Sequence, residues 1–420
     1  MLLQLLFFTL VHTFDCFIAR NGTTLLECSK PYRFSSFNVP GLLLTEDLTS
    51  TWVPPTAEEY EDIFQTIKLG AGRATRSYTL GFGPTYHVAG IDQYYEPAWV
   101  SFDRMLDIAR KHKVRVIVPI VNNNWPNLFG GYEYLCQMAG KDPSVFFTDP
   151  DMRKHLKDII RYMLNRRNTI NGIRYGNDST ILAWELGNEL NGFGFAPASW
   201  TLDIAGLIKT HAPNTLVMTG SFGTFDPNNL QELNAVFNSH NIDVLTNHYY
   251  DGFEGYLPRD IAVAQQFNKA FIVGEVGFSM DTISYVWNTM LSNFNISGAL
   301  VWSLRYHSRL GGFYTHSEGN GVYSFHAPGF PAKDGFGADD YRIAQYVRNA
   351  GLQLQGLSDF DPIPPPSRPV ENQIASTIDL RWFGSAWAAS YEVSRFEPGK
   401  PKKVLAHVSD NVDHGNVYDN

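Results

Sequence analysis

Ile181-Leu182-Ala183-Trp184-Glu185-Leu186-Gly187-Asn188-Glu189 begins as a strand-forming apolar run and ends on polar residues around a glycine. A strand buried on both faces reads this way, with its functional groups gathered at the C-terminal end. Comparable runs stand before and after it, at Tyr32–Asn38, Gly70–Tyr78, Val114–Val121, Thr215–Gly220, Asp243–Tyr250, Phe271–Gly277 and Gly298–Leu304. Between them lie stretches whose apolar positions recur at three and four, among them Ala57–Lys68, Trp99–His112 and Asp151–Arg166. Asp149-Pro150 offers an N-cap followed by proline at the first helical position. Eight β runs, each followed by a helical pattern, predict an α/β fold of the (β/α)8 TIM-barrel type over 17–358. A doubly wound sheet expects fewer strands and a phosphate-binding glycine loop. The chain has no G-x-G-x-x-G after a strand and no Walker motif.

The ends read differently. Residues 1–16 hold an apolar run through Val11, too short to span a bilayer and suited to a secretory leader. Two short β-type runs around Asn21-Gly22 predict an N-terminal hairpin from Phe17 onward. No later segment is long and apolar enough to cross a membrane, so a secreted, extracellular protein is expected. Asn21, Asn177 and Asn295 are glycosylation triplets suited to that compartment. Cys16, Cys28 and Cys136 show no zinc spacing; a Cys28–Cys136 bridge and free structural thiols both stay open. Residues 359–370 form a proline-rich linker. Beyond it, 371–420 alternate like strands and resemble the opening half of a fibronectin type III-like β-sandwich.

Composition narrows the partners. Lys plus Arg number 33 against 42 Asp plus Glu, a net charge of -9 without a basic run, which argues against nucleic acid or an anionic membrane. The 29 Phe, 21 Tyr and 9 Trp suit either a large core or a groove that stacks on sugar rings.

In a barrel the chemistry collects where the strands end. Two of the runs end in Glu beside Gly: Gly187-Asn188-Glu189 and Gly274-Glu275. Facing carboxylates are the requirement of glycoside hydrolysis, one protonating the leaving oxygen and the other attacking the anomeric carbon. Trp184-Glu-Leu-Gly-Asn-Glu189 with Glu275 resembles the retaining glycoside hydrolases of clan A, and within them family 5. Arg76, His248-Tyr249-Tyr250 and Trp302 fall at further strand ends in that family's pattern. The resemblance implies Glu189 as acid/base and Glu275 as nucleophile, with Arg76 and Tyr250 around the nucleophile. It also implies Asn188 on the sugar 2-hydroxyl, His248 in the site and Trp302 beneath the sugar. Arg76 and Tyr250 are expected to hold the Glu275 carboxyl down so that it stays ionised. Glu185 reads as a solvated or salt-bridged strand-end residue.

Ile120-Val-Asn-Asn-Asn-Trp125-Pro-Asn-Leu-Phe-Gly-Gly131 resembles the Asn-rich loop of the family 5 endo-β-1,4-mannanases, with Trp125 placed to stack on a ring. Leu190-Asn191 stands where those enzymes carry Pro-Arg. Arg305, His307, His316 and Glu318 are expected to form one polar loop at the mouth. The expected function is hydrolysis of β-1,4-mannan-type polysaccharide by a monomer without metal or organic cofactor. A β-glucanase, an exo-acting β-mannosidase and a carbohydrate-binding pseudo-enzyme are the alternatives.

Overall fold

The computed structural model describes residues 16–48, 53–123, 128–190, 196–221, 230–330, 339–358, 361–374 and 377–410, without the side chains of 230–232 and 371–379. Eight parallel strands make the central sheet: β1 (Phe34–Phe37), β2 (Ala74–Arg76), β3 (Arg115–Asn122), β4 (Ile181–Asn188), β5 (Leu216–Met218), β6 (Val244–Tyr249), β7 (Ala270–Val276) and β8 (Ile296–Val301). Neighbours follow the order β1-β8-β7-β6-β5-β4-β3-β2. A parallel bridge from Asn38 to Arg76 and the bond from Val39 N–H to the Arg76 carbonyl, 2.9 Å, join β1 to β2 and close the barrel. All eight runs predicted from the sequence therefore become barrel strands.

Each strand sits between two cores, which explains its continuous apolar reading. Outward residues such as Val116, Val118, Trp184 and Leu186 pack with the surrounding helices. Inward residues Phe34, Ala74, Ile117, Ala183, Met218, Val244 and Ile272 fill the barrel interior. The predicted hairpin, Ile18–Asn21 paired with Thr24–Glu27, contributes Ile18 and Leu25 to that interior cluster and closes the barrel's N-terminal end. Asn21 pairs with Thr24, so Gly22, at φ +62°, takes the first position of a two-residue loop. The turn is thus one residue later than the Asn-Gly signal centred it.

The helices start where capping chemistry allows. Thr56 and Glu59 form a reciprocal capping box on the helix Ala57–Leu69: the Glu59 N–H donates to Thr56 Oγ1 and the Thr56 N–H to Glu59 Oε2. Asp149 caps Pro150–Asn165 by accepting from the N–H groups of Asp151 and Met152, as expected.

Two expectations are overturned here. Cys28 is bridged to Cys16, while Cys136 is buried with a free thiol. The two bridged residues flank the short hairpin, whereas Cys136 lies in the core with Leu135 and Tyr132, behind the barrel wall. Cys16, counted with the leader, accordingly belongs to the folded chain; 1–15 lie outside the described residues.

The C-terminal segment forms two antiparallel hairpins, Val370–Ile374 with Thr377–Arg381 and Ser390–Arg395 with Lys403–Ser409. Between them Trp387 is buried against the barrel domain, its indole N–H donating to the Thr66 carbonyl at 2.8 Å and the Arg348 guanidinium stacked over its ring. His307 makes a second attachment. Its Nδ1 meets Asp62 Oδ1 and its Nε2 meets Asp410 Oδ2, both at 2.9 Å.

Candidate active site

Strand geometry delivers the predicted residues to one spot. Arg76 ends β2, Asn188 ends β4 with Glu189 immediately after, His248 lies near the end of β6, and Glu275 is the second-last residue of β7. A register shift between Asn247 and His248 turns the end of β6, the kind of irregularity that re-aims side chains beside active sites. Glu189 adopts φ +52°, a left-handed conformation uncommon outside glycine and one associated with functional sites. Gly274 leaves room for the imidazole, because a Cβ there would come within 2.9 Å of His248 Nε2.

The two carboxylates meet across His248. Its Nδ1 lies 2.8 Å from Glu189 Oε1 and 3.4 Å from Glu275 Oε2. One potential ligand atom from each of the three lies within 4.8 Å of the others. Glu275 also receives Arg76 Nη1 on Oε1 at 2.7 Å and the Tyr250 hydroxyl on Oε2 at 2.5 Å. Both carboxylate residues are 3% exposed, at the bottom of the site rather than on a rim.

That depth sets the electrostatics. Burial pushes the Glu275 carboxyl above its ordinary value, against the pull of His248, Arg76 and the Tyr250 hydrogen bond. The expectation that Arg76 and Tyr250 hold it down is therefore corrected: they oppose the desolvation without cancelling it. Burial also lowers His248 to about 4, which leaves a neutral imidazole at mildly acid pH. Burial lowers Arg76, but the Glu185 and Glu275 carboxylates outweigh it and the guanidinium stays charged.

Further groups complete the arrangement, with Asn38 and Tyr78 among them not singled out by the sequence. Glu185 is fully buried and takes a two-point ion pair from Arg76, at 2.6 Å from Nε and 3.0 Å from Nη2. It is salt-bridged, then, and not solvated. Asn188 Oδ1 accepts from Arg76 Nη2 at 2.7 Å, and its amide donates to Asn122 Oδ1 at 3.0 Å. Asn122 donates to the Tyr78 hydroxyl at 2.8 Å, and Tyr78 packs against Trp302 with ring centroids 5.6 Å apart. Asn38 Oδ1 accepts from Arg76 at 3.3 Å. The available signal for Asn38 and Tyr78 was position, since each is the last residue of a predicted strand run.

Trp302 follows β8, and its indole N–H donates to Glu318 Oε2 at 3.3 Å. Trp125 lies outside the described residues. The polar loop divides in two. Arg305 binds Glu46 and Asp47, His316 binds Asp47, and Glu318 faces Trp302 and Ser324, whereas His307 points to Asp62 and Asp410. Backbone pairing of His307 with Phe313 carries its side chain away from the other three.

Among the described residues, two groups of side chains could present three ligand atoms to a metal, Glu189–His248–Glu275 and Glu46–Asp47–His316. Each already holds a guanidinium, Arg76 on Glu275 and Arg305 on Glu46 and Asp47, and that charge opposes a second cation.

Comparison with known proteins agrees with this picture. Residues 89–255 match a family model described as GH family 5 beta-mannosidase-like. Mannan endo-1,4-beta-mannosidase 5 of Arabidopsis thaliana is 27% identical over 268 residues, covering 56% of this chain and 59% of that protein. Mannan endo-1,4-beta-mannosidase 4 of Solanum lycopersicum is 29% identical over 233 residues, covering 52% and 55%. The chain thus spans a little over half the length of these curated relatives. In fold it is similar to the glycoside hydrolase family 5 mannosidase of Rhizomucor miehei, with a TM-score of 0.64 at 20% identity over 82% of this chain and 99% of that one. The endo-beta-1,4-mannanase of Thermotoga petrophila gives 0.61 at 17% identity, covering 86% of each. In sequence, and with a (β/α)8 barrel to match, this chain resembles glycoside hydrolase family 5 and, within it, the endo-β-1,4-mannanases.

Proposed function

We propose that the protein is a secreted, retaining β-glycoside hydrolase acting on β-1,4-mannan-type polysaccharide. One observation carries the reading: the Glu189 and Glu275 carboxylates, from the ends of β4 and β7, approach within 4.8 Å around one imidazole. Retaining enzymes hold their carboxyl groups about 5–5.5 Å apart, whereas inverting ones need roughly 6.5–9.5 Å for a water.

Glu275 attacks the anomeric carbon while Glu189 protonates the departing oxygen. Arg76 and Tyr250 occupy the two Glu275 oxygens, and the bond from Tyr250 must yield or slide as the attacking oxygen bonds to carbon. Once Glu275 is esterified its negative charge is gone, and Glu189 releases its proton more readily to activate water. Neutral His248 can donate from Nδ1 to ionised Glu189 or accept from its protonated form, so it serves both halves. Asn188 spends Oδ1 on Arg76 and one amide proton on Asn122. Its Nδ2 also donates weakly to the Tyr78 hydroxyl, at 3.5 Å, a bond that a sugar 2-hydroxyl would replace. Secretion is supported by the leader-like start and by the Cys16–Cys28 bridge, since disulfides persist in oxidising compartments.

An exo-acting β-mannosidase is the second reading, favoured by the residues after β8 that bring Glu318 against Trp302. Purified protein incubated with mannan, glucan and xylan is expected to release reducing ends from mannan, and a ladder of products rather than mannose alone marks endo action. Glu275→Ala is expected to lose turnover and to regain part of it with azide, giving product of inverted configuration. No release from any polymer would favour a binding protein, and an active Glu275→Ala would remove that residue from its role.

A further inference from the structure

The buried carboxylate that the reaction scheme leaves unused is Glu185. It lies inside the barrel on β4, above the apolar layer containing Ala183, and is 0% exposed. Among the described residues its side-chain hydrogen bonds come from Arg76, which gives it Nε at 2.6 Å and Nη2 at 3.0 Å, the fork-to-fork arrangement of a bidentate pair. The same guanidinium turns Nη1 to Glu275 at 2.7 Å. One cation is thus shared by two buried carboxylates.

We propose that Glu185 is a positioning residue for the nucleophile: it fixes the plane of the Arg76 guanidinium and holds back part of its charge from Glu275. This rests on the reading of Glu275 as the nucleophile. The geometry makes the two effects inseparable in the wild-type protein. Two bonds to Glu185 leave the guanidinium one orientation in which Nη1 faces Glu275 Oε1. An unshared arginine at 2.7 Å would favour the carboxylate so strongly that it would become a weak nucleophile. Paired with Glu185, the cation is largely neutralised, and Glu275 keeps its basicity while remaining hydrogen-bonded. The other charged or titratable groups facing Glu275 are Glu189 beyond β4, His248 on β6, Tyr250 just beyond β6, and Tyr78 beyond β2. Glu318 acts on Tyr250 from the segment after β8. None of these touches the Glu185 side of the guanidinium in the described structure.

Two substitutions separate charge from geometry. Glu185→Gln keeps the size and one acceptor but removes the charge, so Arg76 falls wholly to Glu275. The acidic limb of kcat/KM, which reports the free enzyme, is expected to move down by about one pH unit, and formation of the glycosyl-enzyme to slow about tenfold. Glu185→Asp keeps the charge and is expected to leave the limb where the wild type has it. A Glu185→Gln limb that stays put or moves up, with glycosyl-enzyme formation at the wild-type rate, overturns the proposal. Should Glu185→Gln fail to fold, carbon-13 carboxyl titration of the wild type decides: Glu185 must remain ionised through the active pH range, and a protonated Glu185 at pH 6 overturns the proposal. A wild type without turnover on any β-linked polymer would instead refute the reading of the function, a separate result that leaves the carboxyl titration readable.

Discussion

At position 274 the absence of a side chain is what admits the His248 ring. A Cβ there would come within 2.7 Å of Thr246 Oγ1 and 2.9 Å of His248 Nε2, so the imidazole and its bond to Glu189 would have to move. Gly274→Ala is therefore expected to cost about 1–3 kcal/mol of stability from overpacking, and to lower kcat by tenfold or more, since misplacing a reacting group by about 1 Å can cost ~100-fold. Thermal unfolding and steady-state kinetics on a mannan oligosaccharide check both, and unaltered kinetics would mean that His248 does not depend on that space. Much of the site was legible residue by residue, because strand-end position together with the family 5 resemblance brings Arg76, Asn188, His248, Glu275 and Trp302 forward. What the chain order hides is who meets whom. The bidentate pair of Glu185 with Arg76 joins residues 109 apart and depends on the barrel register. The direction of the Glu275 shift was missed for the same reason: donors can be named from motifs, whereas burial is a property of the closed site.

At the scale of elements, the signals that held were those with a local mechanism. Asp149-Pro150 starts a helix because both residues answer the needs of its first turn. The helix expected from Trp99 instead begins at Glu96, with Pro97 in its first turn, so proline read as a starter would have placed it better. The run Gly70–Tyr78 pairs as a strand only over Ala74–Arg76: Gly70 caps the preceding helix, and Ser77 onward leaves the ladder toward the mouth. The Thr56–Glu59 capping box does more than start a helix, because Glu59 also receives the Arg309 guanidinium and, at 2.7 Å, the Tyr314 hydroxyl. Thr56→Ala should thus destabilise by about 1 kcal/mol through the lost cap while sparing catalysis. Denaturant unfolding with activity measured in parallel tests this; a loss of activity exceeding the loss of folded protein would show that the cap also shapes the site.

Across the whole molecule, the C-terminal segment is tied to the barrel domain through Trp387 and through His307 between two carboxylates. Burial would lower the His307 imidazole, but Asp62 and Asp410 outweigh it and raise it to about 10. A group raised on folding gives its full stabilisation below its ordinary value near 6.5 and loses it as pH climbs toward 10. Protease sensitivity of residues 383–410 is therefore expected to increase between pH 7 and 10, and His307→Gln to show the high-pH sensitivity already at pH 6. A digestion pattern indifferent to pH in the wild type would mean that Trp387 alone holds the segment.

The hairpin that stoppers the barrel's lower end gives the molecule one open side. Asn21 lies in that hairpin, Asn177 shortly precedes β4 and Asn295 immediately precedes β8, so all three triplets belong to the closed side. Oligosaccharides attached there would stand like bristles on the back of a brush. A bead coupled through them would hold the protein with its working face outward, toward an insoluble fibre.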